Sequence, residues 1–115
     1  MKEFLLIFRR DFKSPEAQPS AEQMQAMMRK WQDWMGSIAA RNKLSDRGNR
    51  LESAGSVVRQ NGVMDGPYVE VKEGIGGYTI IKADSLQDAS EISKGCPVLL
   101  VGGSVEVREI IPMVD

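Results

Sequence analysis

The sequence predicts an α+β fold in which two helices cover one face of an antiparallel sheet. Three observations predict it. Apolar patterns follow one another in the order strand, long helix, strands, short helix, strand. The long helix has an apolar stripe at helical spacing, and two strands are apolar on both faces. With 115 residues the chain can form its own core but is below the size at which chains usually divide, so we expect one domain over residues 1–115.

The first element is a strand over Glu3–Arg9. Its side chains divide between the two faces, with one set formed by Phe4, Leu6 and Phe8 and the other by Leu5 and Ile7. Apolar side chains on both faces are typical of a strand that is covered on both sides. The segment 11–19 follows and contains two prolines, so we expect a loop there.

The second element is a long amphipathic helix that ends near Ala40. Ser20 is a good N-cap, and Gln23, three residues later, completes a capping box. The apolar stripe of this helix consists of Met24, Met27, Met28, Trp31, Trp34, Met35 and Ile38. We interpret the stripe as core rather than as a cofactor-binding surface, because Met fills irregular gaps in a core without needing a ligand.

The middle of the chain has weaker patterns. Residues 41–54 show only a turn at 48–49, followed by the start of a strand. Asn61-Gly62 lies between the segments Ser56–Arg59 and Val63–Met64, and this arrangement predicts a β-hairpin.

The last third predicts a strand, a short helix and a final strand. The two strands cover Gly77–Ala83 and Ser104–Ile111. Asp84 or Ser85 caps the helix between them. We expect Val98–Val101 to be either a short strand or an extended loop.

Two helices can cover only one face of the predicted sheet. The first strand and the Gly77–Ala83 strand are nevertheless apolar on both faces. The simplest cover for the second face is another copy of the chain, so we expect a homodimer.

Composition excludes several classes of function. The net charge is −1, so no overall field attracts nucleic acid. The single Cys allows no disulfide within the chain, and the N-terminal apolar run Phe4–Phe8 is too short for a membrane span, so we expect a cytoplasmic protein. The chain has no His, the commonest general base near neutral pH and the commonest metal ligand. We expect neither a metal nor a bound cofactor.

The segment Asp65-Gly66-Pro67-Tyr68 combines strong backbone constraints with polar and aromatic groups. Gly tolerates positive φ, and Pro fixes its own φ and restricts the residue before it. A carboxylate held in such a turn could act as general acid or base. An Asx turn, in which the Asp65 side chain shapes the loop, explains the same residue without catalysis.

Four further residues could contribute to a binding site. Arg108 lies on the same strand face as Glu106, so it either pairs with a carboxylate or binds an anionic ligand. Glu73 is either a second carboxylate of the pocket or a solvated loop charge. Tyr68 and Tyr78 either line the pocket or pack as buried aromatics.

Two other features point away from common chemistries. Gly74–Gly77 is glycine-rich but lacks a following Gly-Lys-Ser/Thr and precedes a strand, which argues against a phosphate-binding loop. Cys96 has no His partner in the chain, so we interpret it as a small buried residue rather than as a nucleophile.

The chain resembles the YCII-related, or DGPF-domain, family. The resemblance rests mainly on motifs in the second half, in this order: Asp65-Gly66-Pro67-Tyr68, Lys72-Glu73, Gly76-Gly77-Tyr78-Thr79-Ile80-Ile81, Cys96-Pro97, Gly102-Gly103 and Val105-Glu106-Val107-Arg108. The first strand and a helix with Trp31 and Trp34 also fit the layout of this family. In the family a Pro usually follows the last Arg, whereas Glu109 follows Arg108 here.

The resemblance implies a ferredoxin-like fold whose sheets pair face to face in a dimeric α/β-barrel-type assembly, with a cleft near each sheet edge. Some members carry a His that resembles an acid–base partner of the motif Asp, and this chain has no such His. Other members are associated with extracytoplasmic-function sigma factors, which implies a link to transcription.

We therefore expect a dimeric module that binds a small molecule, either neutral or anionic, near the Asp-Gly-Pro-Tyr segment. The expected pocket combines Asp65, Tyr68, Glu73, Tyr78 and Arg108, with the helix of Trp34 as a wall. One alternative is an enzyme that uses Asp65 as general acid or base without a metal. The other is a regulatory module that binds a sigma factor. The sequence identifies neither the ligand nor a reaction, and whether the protein is an enzyme stays open.

Overall fold

The computed structural model describes residues 1–11, 19–66 and 74–114. The described helices and strands, in chain order, are β1 (Lys2–Arg10), α1 (Ala21–Ala40), β2 (Leu44–Asp46), β3 (Gly55–Arg59), β4 (Gly62–Gly66), β5 (Gly74–Ala83), α2 (Leu86–Ser93), a 3-10 helix (Pro97–Val101) and β6 (Ser104–Glu109). Within these residues no helix combines the length and the apolar character needed to cross a membrane.

Four strands form the main sheet in the order β2-β5-β1-β6, and every neighbouring pair is antiparallel. At its centre, Leu6 of β1 lies opposite Thr79 of β5 and Val107 of β6. Both helices pack against one face of this sheet. The predicted α+β fold, with an antiparallel sheet and two helices, is therefore confirmed.

The core fills the layer between the sheet and the helices. Phe4 and Leu6 of β1 are 0% exposed, and so is Ile38 of α1. Thr79 is also completely buried, and its hydroxyl donates a hydrogen bond to the carbonyl oxygen of Arg47 at 2.9 Å. The polar group in the core is therefore satisfied, as a buried hydroxyl requires.

Helix α1 begins at the predicted capping box. The Ser20 Oγ accepts from the Gln23 N–H at 3.2 Å, and the Gln23 Oε1 accepts from the Ser20 N–H at 2.9 Å. The prediction that the whole apolar stripe is core is wrong for the first half of the helix, where Met24 and Met28 are 51% and 56% exposed. Only Trp34 and Ile38 are fully buried, because the sheet lies under the second half of α1.

One prediction about a short segment was also wrong, and one short strand was missed. The segment Val98–Val101 belongs to a 3-10 helix, which begins with Pro97 in the first turn and ends at Gly102 with a φ of 79°. Strand β2 was missed because three residues are too few for a readable period. It pairs with β5, with Leu44 opposite Ile81.

Strands β3 and β4 form a separate two-stranded sheet, as the hairpin pattern predicted. Arg59 lies opposite Gly62, so the two loop residues are Gln60 and Asn61, one position earlier than Asn61-Gly62. Val58 lies opposite Val63, and these side chains are 74% and 67% exposed. Among the described residues, the buried core cluster includes no side chain of this hairpin.

Candidate functional site

Three aromatic side chains meet where β1 approaches its end. The ring centroids of Phe8 and Trp31 are 4.9 Å apart, and those of Phe8 and Trp34 are 6.0 Å apart. Trp31 and Trp34 are three residues apart on α1, so they share a helix face, and their ring centroids are 5.7 Å apart. All three pairs meet edge to face, the arrangement that aromatic quadrupoles favour.

The two tryptophans differ in how much of the indole ring is exposed to solvent. The Trp34 Nε1–H donates to the Ile92 carbonyl oxygen at 3.1 Å, and a Cβ placed on Gly95 would lie 3.0 Å from the indole. Trp34 is therefore buried, hydrogen-bonded and closely packed between α1 and the end of α2. Trp31 is half-buried. Sequence reasoning named Trp34 as a wall of the site, and the helical spacing could have pointed equally well to Trp31.

Strand β5 begins at the same end of the sheet. Its first residue is Gly74, and the last residue of β4 is Gly66. Gly74 lies opposite Arg10, the last residue of β1. Tyr68 and Glu73, which we predicted as ligand-binding residues, lie outside the described residues.

Arg10 is a residue that sequence reasoning missed. It is half-buried, and its Nε has no hydrogen-bond partner although the atom itself is buried. The sequence contains no signal for this state, because an arginine at the end of a strand is normally expected to reach solvent.

Tyr78 and Arg108 lie on the face of the sheet that the helices leave open. Ile7 of β1 lies opposite Tyr78 in β5, and Leu5 lies opposite Arg108 in β6, so all four side chains share this face. Tyr78 is half-buried, and its hydroxyl oxygen accepts a hydrogen bond from Asn49 Nδ2 at 3.2 Å. Strand β1 separates Tyr78 from Arg108, and their partners Ile7 and Leu5 are two residues apart. The two positions are therefore about 10 Å apart across the strands and about 7 Å apart along them.

Arg108 belongs to a chain of charges on the open face. Its Nη1 donates to Glu106 Oε2 at 3.1 Å, while Arg9 Nε donates to the other oxygen, Oε1, at 3.1 Å. The two guanidinium groups, with Arg108 the stronger influence, lower the pKa of the Glu106 carboxyl from its ordinary value. Glu106 is the carboxylate that strand alternation placed on the same face as Arg108.

Asp65 lies in strand β4 rather than in a turn. It is opposite Ser56 in the hairpin and is exposed. Among the described residues none donates a hydrogen bond to its carboxylate, so no Asx turn forms with them. The strand continues through Gly66, where a Cβ would approach the Gly55 backbone to 3.3 Å, so this glycine serves close strand pairing.

The predicted site residues do not converge on one pocket within the described chain. Trp34 lies between the sheet and the helices, whereas Tyr78 and Arg108 lie on the opposite side of the sheet. Asp65 lies on the separate hairpin. The structure thus divides these residues among three places.

The described residues contain no group of three or more His, Cys, Asp or Glu side chains that could hold a metal ion. Cys96 is buried behind the end of α2. Burial raises the pKa of the Cys96 thiol from its ordinary value of 9.0 to about 12, so the reactive thiolate is strongly disfavoured.

Comparison with known proteins matches the chain to one family model and to solved structures. No curated protein matches the chain. A solved chain, the 5-chloro-2-hydroxyhydroquinone dehydrochlorinase of Burkholderia phenoliruptrix in complex with 2,5-dihydroxybenzoquinone, is 14% identical, with a TM-score of 0.44 over 91% of this chain and 90% of that chain. The family model of the YCII-related domain matches residues 7–114, nearly the whole length, and the chain therefore belongs to the YCII-related family.

Proposed function

We propose that this YCII-related domain is a homodimeric module that binds a small molecule at the end of the sheet where β1 ends and β5 begins. The observation that carries this proposal is the half-buried Trp31, which contacts Phe8 close to the end of β1, where Arg10 lies opposite Gly74. Ligand sites are typically apolar and aromatic surfaces with a few polar groups. This end of the sheet combines both.

The helix-facing side supplies the apolar part of the site. Phe8 and Trp34 are buried and hold Trp31 in place through ring contacts, so Trp31 presents a rigid surface. Met27 is also half-buried and lies one turn before Trp31 on α1. Met adapts its shape to varied ligands, whereas Trp provides a flat surface for stacking.

The open face of the sheet supports a dimer. Neither helix packs against its centre, which is an apolar patch of four half-buried side chains. These are Leu5, Ile7, Tyr78 and Ile80. The charged side chains of Arg9, Glu106 and Arg108 lie along one side of this patch. An apolar centre with a polar rim is typical of a protein–protein interface. The strand order is also the one expected for a ferredoxin-like fold, and we propose a dimeric α/β-barrel-type assembly in which two open faces pack together.

The ligand proposal is tested by a thermal-shift screen against a library of small metabolites. A ligand at about 100 times its dissociation constant adds roughly 2.7 kcal/mol to stability. For a domain of this size we expect the unfolding midpoint to rise by roughly ten degrees or more. Trp31→Ala should remove the response, whereas Met28→Ala, on an exposed part of the same helix, should keep it. A screen without any hit would contradict the proposal.

The dimer is tested separately by sedimentation. Ile7→Asp places an unpaired charge at the centre of the proposed interface, so we expect a dissociation to monomers. Leu86→Asp makes the same kind of change at an exposed position of α2 and should leave the dimer intact. A wild-type protein that sediments as a monomer would exclude the paired open faces.

The catalytic role of Asp65 stays a prediction. Asp65→Asn in the same screen, with Asp33→Asn on α1 as an exposed control, would reveal whether the motif carboxylate affects binding. Conversion of a bound ligand by the wild-type protein, lost in Asp65→Asn, would support the enzyme. The association with a sigma factor also stays a prediction, and capture of a purified sigma factor is its test.

A further inference from the structure

Two consecutive arginines of β1 have opposite environments. Arg9 points to the open face, where its guanidinium donates to Glu106 at 3.1 Å and also forms a 3.0 Å ion pair with it. Arg10 points to the other side because side chains alternate along a strand. Within the part of the chain that the structure describes, no group accepts a hydrogen bond from the buried Arg10 Nε.

A buried guanidinium nitrogen without an acceptor is a costly feature. Desolvation of a charged donor is normally compensated by a carboxylate or a carbonyl oxygen, and native proteins leave few such atoms unpaired. Each remaining unpaired atom requires an explanation, and an absent ligand or ion is one such explanation. The Nε atom is buried, but the residue as a whole keeps an exposed part, so a ligand that displaces the atoms covering Nε can reach it from solvent.

The surroundings of Arg10 indicate the rest of the ligand. Arg10 is two residues after Phe8 on the same strand, so their side chains lie on the same side, roughly 7 Å apart along the strand. Phe8 is in contact with the half-buried ring of Trp31. An acceptor bound to Arg10 would therefore have a flat apolar surface beside it, on the helix-facing side of the sheet.

We propose that Arg10 is the anion-binding residue of the site and that the ligand is an aromatic or similarly flat carboxylic acid. A carboxylate can accept two parallel hydrogen bonds from Nε and Nη of one guanidinium, which matches the unpaired donor. Its apolar body would lie against Trp31. This inference rests on the proposed binding function, and it replaces Arg108, which already pairs with Glu106, as the anion anchor.

Benzoate, benzamide and inorganic phosphate are suitable probes. Benzoate and benzamide share a ring and differ in charge, whereas phosphate has the charge without the ring. In heteronuclear NMR titrations of the full-length protein, we expect benzoate to shift the Arg10 Nε–H and Trp31 indole signals. The chain has two tryptophans, so Trp31→Phe assigns the indole signals. Benzoate should bind at least about tenfold more tightly than benzamide, because hydrogen bonds to charged groups are the stronger kind. It should exceed phosphate by the same factor, because phosphate has no ring to pack against Trp31.

Variants of Arg10 separate a ligand role from a structural one. Arg10→Gln should reduce the affinity for benzoate to that for benzamide, and Arg10→Lys, which keeps the charge but loses the paired donors, should give an intermediate affinity. Arg29→Gln, at an exposed position of α1, should change nothing. Without ligand, neither Arg10 variant should lower the unfolding midpoint, because no described hydrogen bond of Arg10 Nε is lost.

Four results would overturn the inference. The first two are equal binding of benzoate and benzamide, and equal binding of benzoate by wild type and Arg10→Gln. The third is a marked loss of stability in Arg10→Lys and Arg10→Gln without ligand, and the fourth is the absence of binding by all three probes. The proposed binding function itself fails only if the metabolite screen is silent as well, so the two failures are distinguishable.

Discussion

The two faces of the main sheet are built from the same strands but have different surroundings. On the helix-facing side, Phe4 and Leu6 are completely buried against α1 and α2. On the open side, their neighbours Leu5 and Ile7 are half-buried, and neither helix reaches them. Strand alternation alone makes both sides apolar. The difference teaches that the first side is covered by helices of the same chain, whereas the second is an apolar surface that we propose pairs with a second copy.

The same contrast applies to charged side chains. On the open side the carboxylate of Glu106 pairs with Arg9 and Arg108. On the helix-facing side Arg10 has a buried nitrogen that no described residue satisfies. We infer that the open side is prepared for a protein surface and the end of the helix-facing side for a ligand.

The largest expected effect distinguishes two consecutive residues of β1 that face opposite sides of the sheet. Phe4→Ala should destabilise the protein by about 3–5 kcal/mol, because it leaves a cavity in a fully buried core. Leu5→Ala should cost less, and its cost should grow with protein concentration if the open face pairs two copies. Urea unfolding at several protein concentrations measures both. Equal and concentration-independent costs would remove the distinction between the faces.

The next effect concerns the loop that leads to the sheet edge. Gly48 has a φ of 73°, and a Cβ there would lie 1.8 Å from the Tyr78 carbonyl oxygen. Gly48→Ala should therefore cost about 2 kcal/mol or more through strain and backbone displacement. Gly36→Ala is the matched control: a Cβ there meets nothing within 4 Å, so the higher helix propensity of Ala should stabilise α1. Thermal unfolding that ranks the two variants in reverse would contradict this local geometry.

A smaller effect should distinguish the two tryptophans. Trp34→Phe keeps an aromatic ring but loses the 3.1 Å hydrogen bond to Ile92, so we expect a loss of about 1–2 kcal/mol. Trp31→Phe should cost less stability, because no described acceptor pairs with its indole N–H. The order should reverse for ligand affinity, which depends on Trp31. Chemical unfolding and ligand titration of the same two variants measure both orders.

The smallest expected effect is a pH dependence on the open face. Since its hydrogen bonds to Arg108 and Arg9 lower the pKa of Glu106 in the folded state, the pair stabilises the fold above the ordinary value of 4.5. That stability should be lost as the pH falls below 4.5 towards the lowered folded pKa. Glu106→Gln should make the unfolding midpoint fall less steeply with acidification. Parallel pH curves for the variant and the wild type would show that the network does not affect stability.

Local signals predicted the parts of the fold that depend on local chemistry. The Ser20–Gln23 capping box and the alternation in β1 were read from neighbouring residues, and both are present. Strand β2 was missed because its pairing with β5 is set by the tertiary fold. For the same reason the sequence did not show that Met24 and Met28 of the Met and Trp stripe are exposed.

The candidate site was harder to predict than the fold. The motif predicted a role for Asp65, which lies exposed on the hairpin. Strand alternation correctly predicted that Arg108 and Glu106 share one face. Which face the helices cover, and therefore which residues can share a pocket with Trp34, depends on packing between distant segments. Arg10 could not be singled out, because an unpaired nitrogen is a property of the folded surroundings.

The metabolite screen, read out by NMR, tests the central claim most directly. The claim is that the end of the helix-facing side binds a ligand and the open side binds a second copy. We predict at least one metabolite that raises the unfolding midpoint and shifts the Trp31 indole signal in a protein that remains dimeric. The claim would be contradicted if no metabolite bound, or if a bound metabolite shifted the signals of Tyr78 and Ile80 on the open face and left that of Trp31 unchanged.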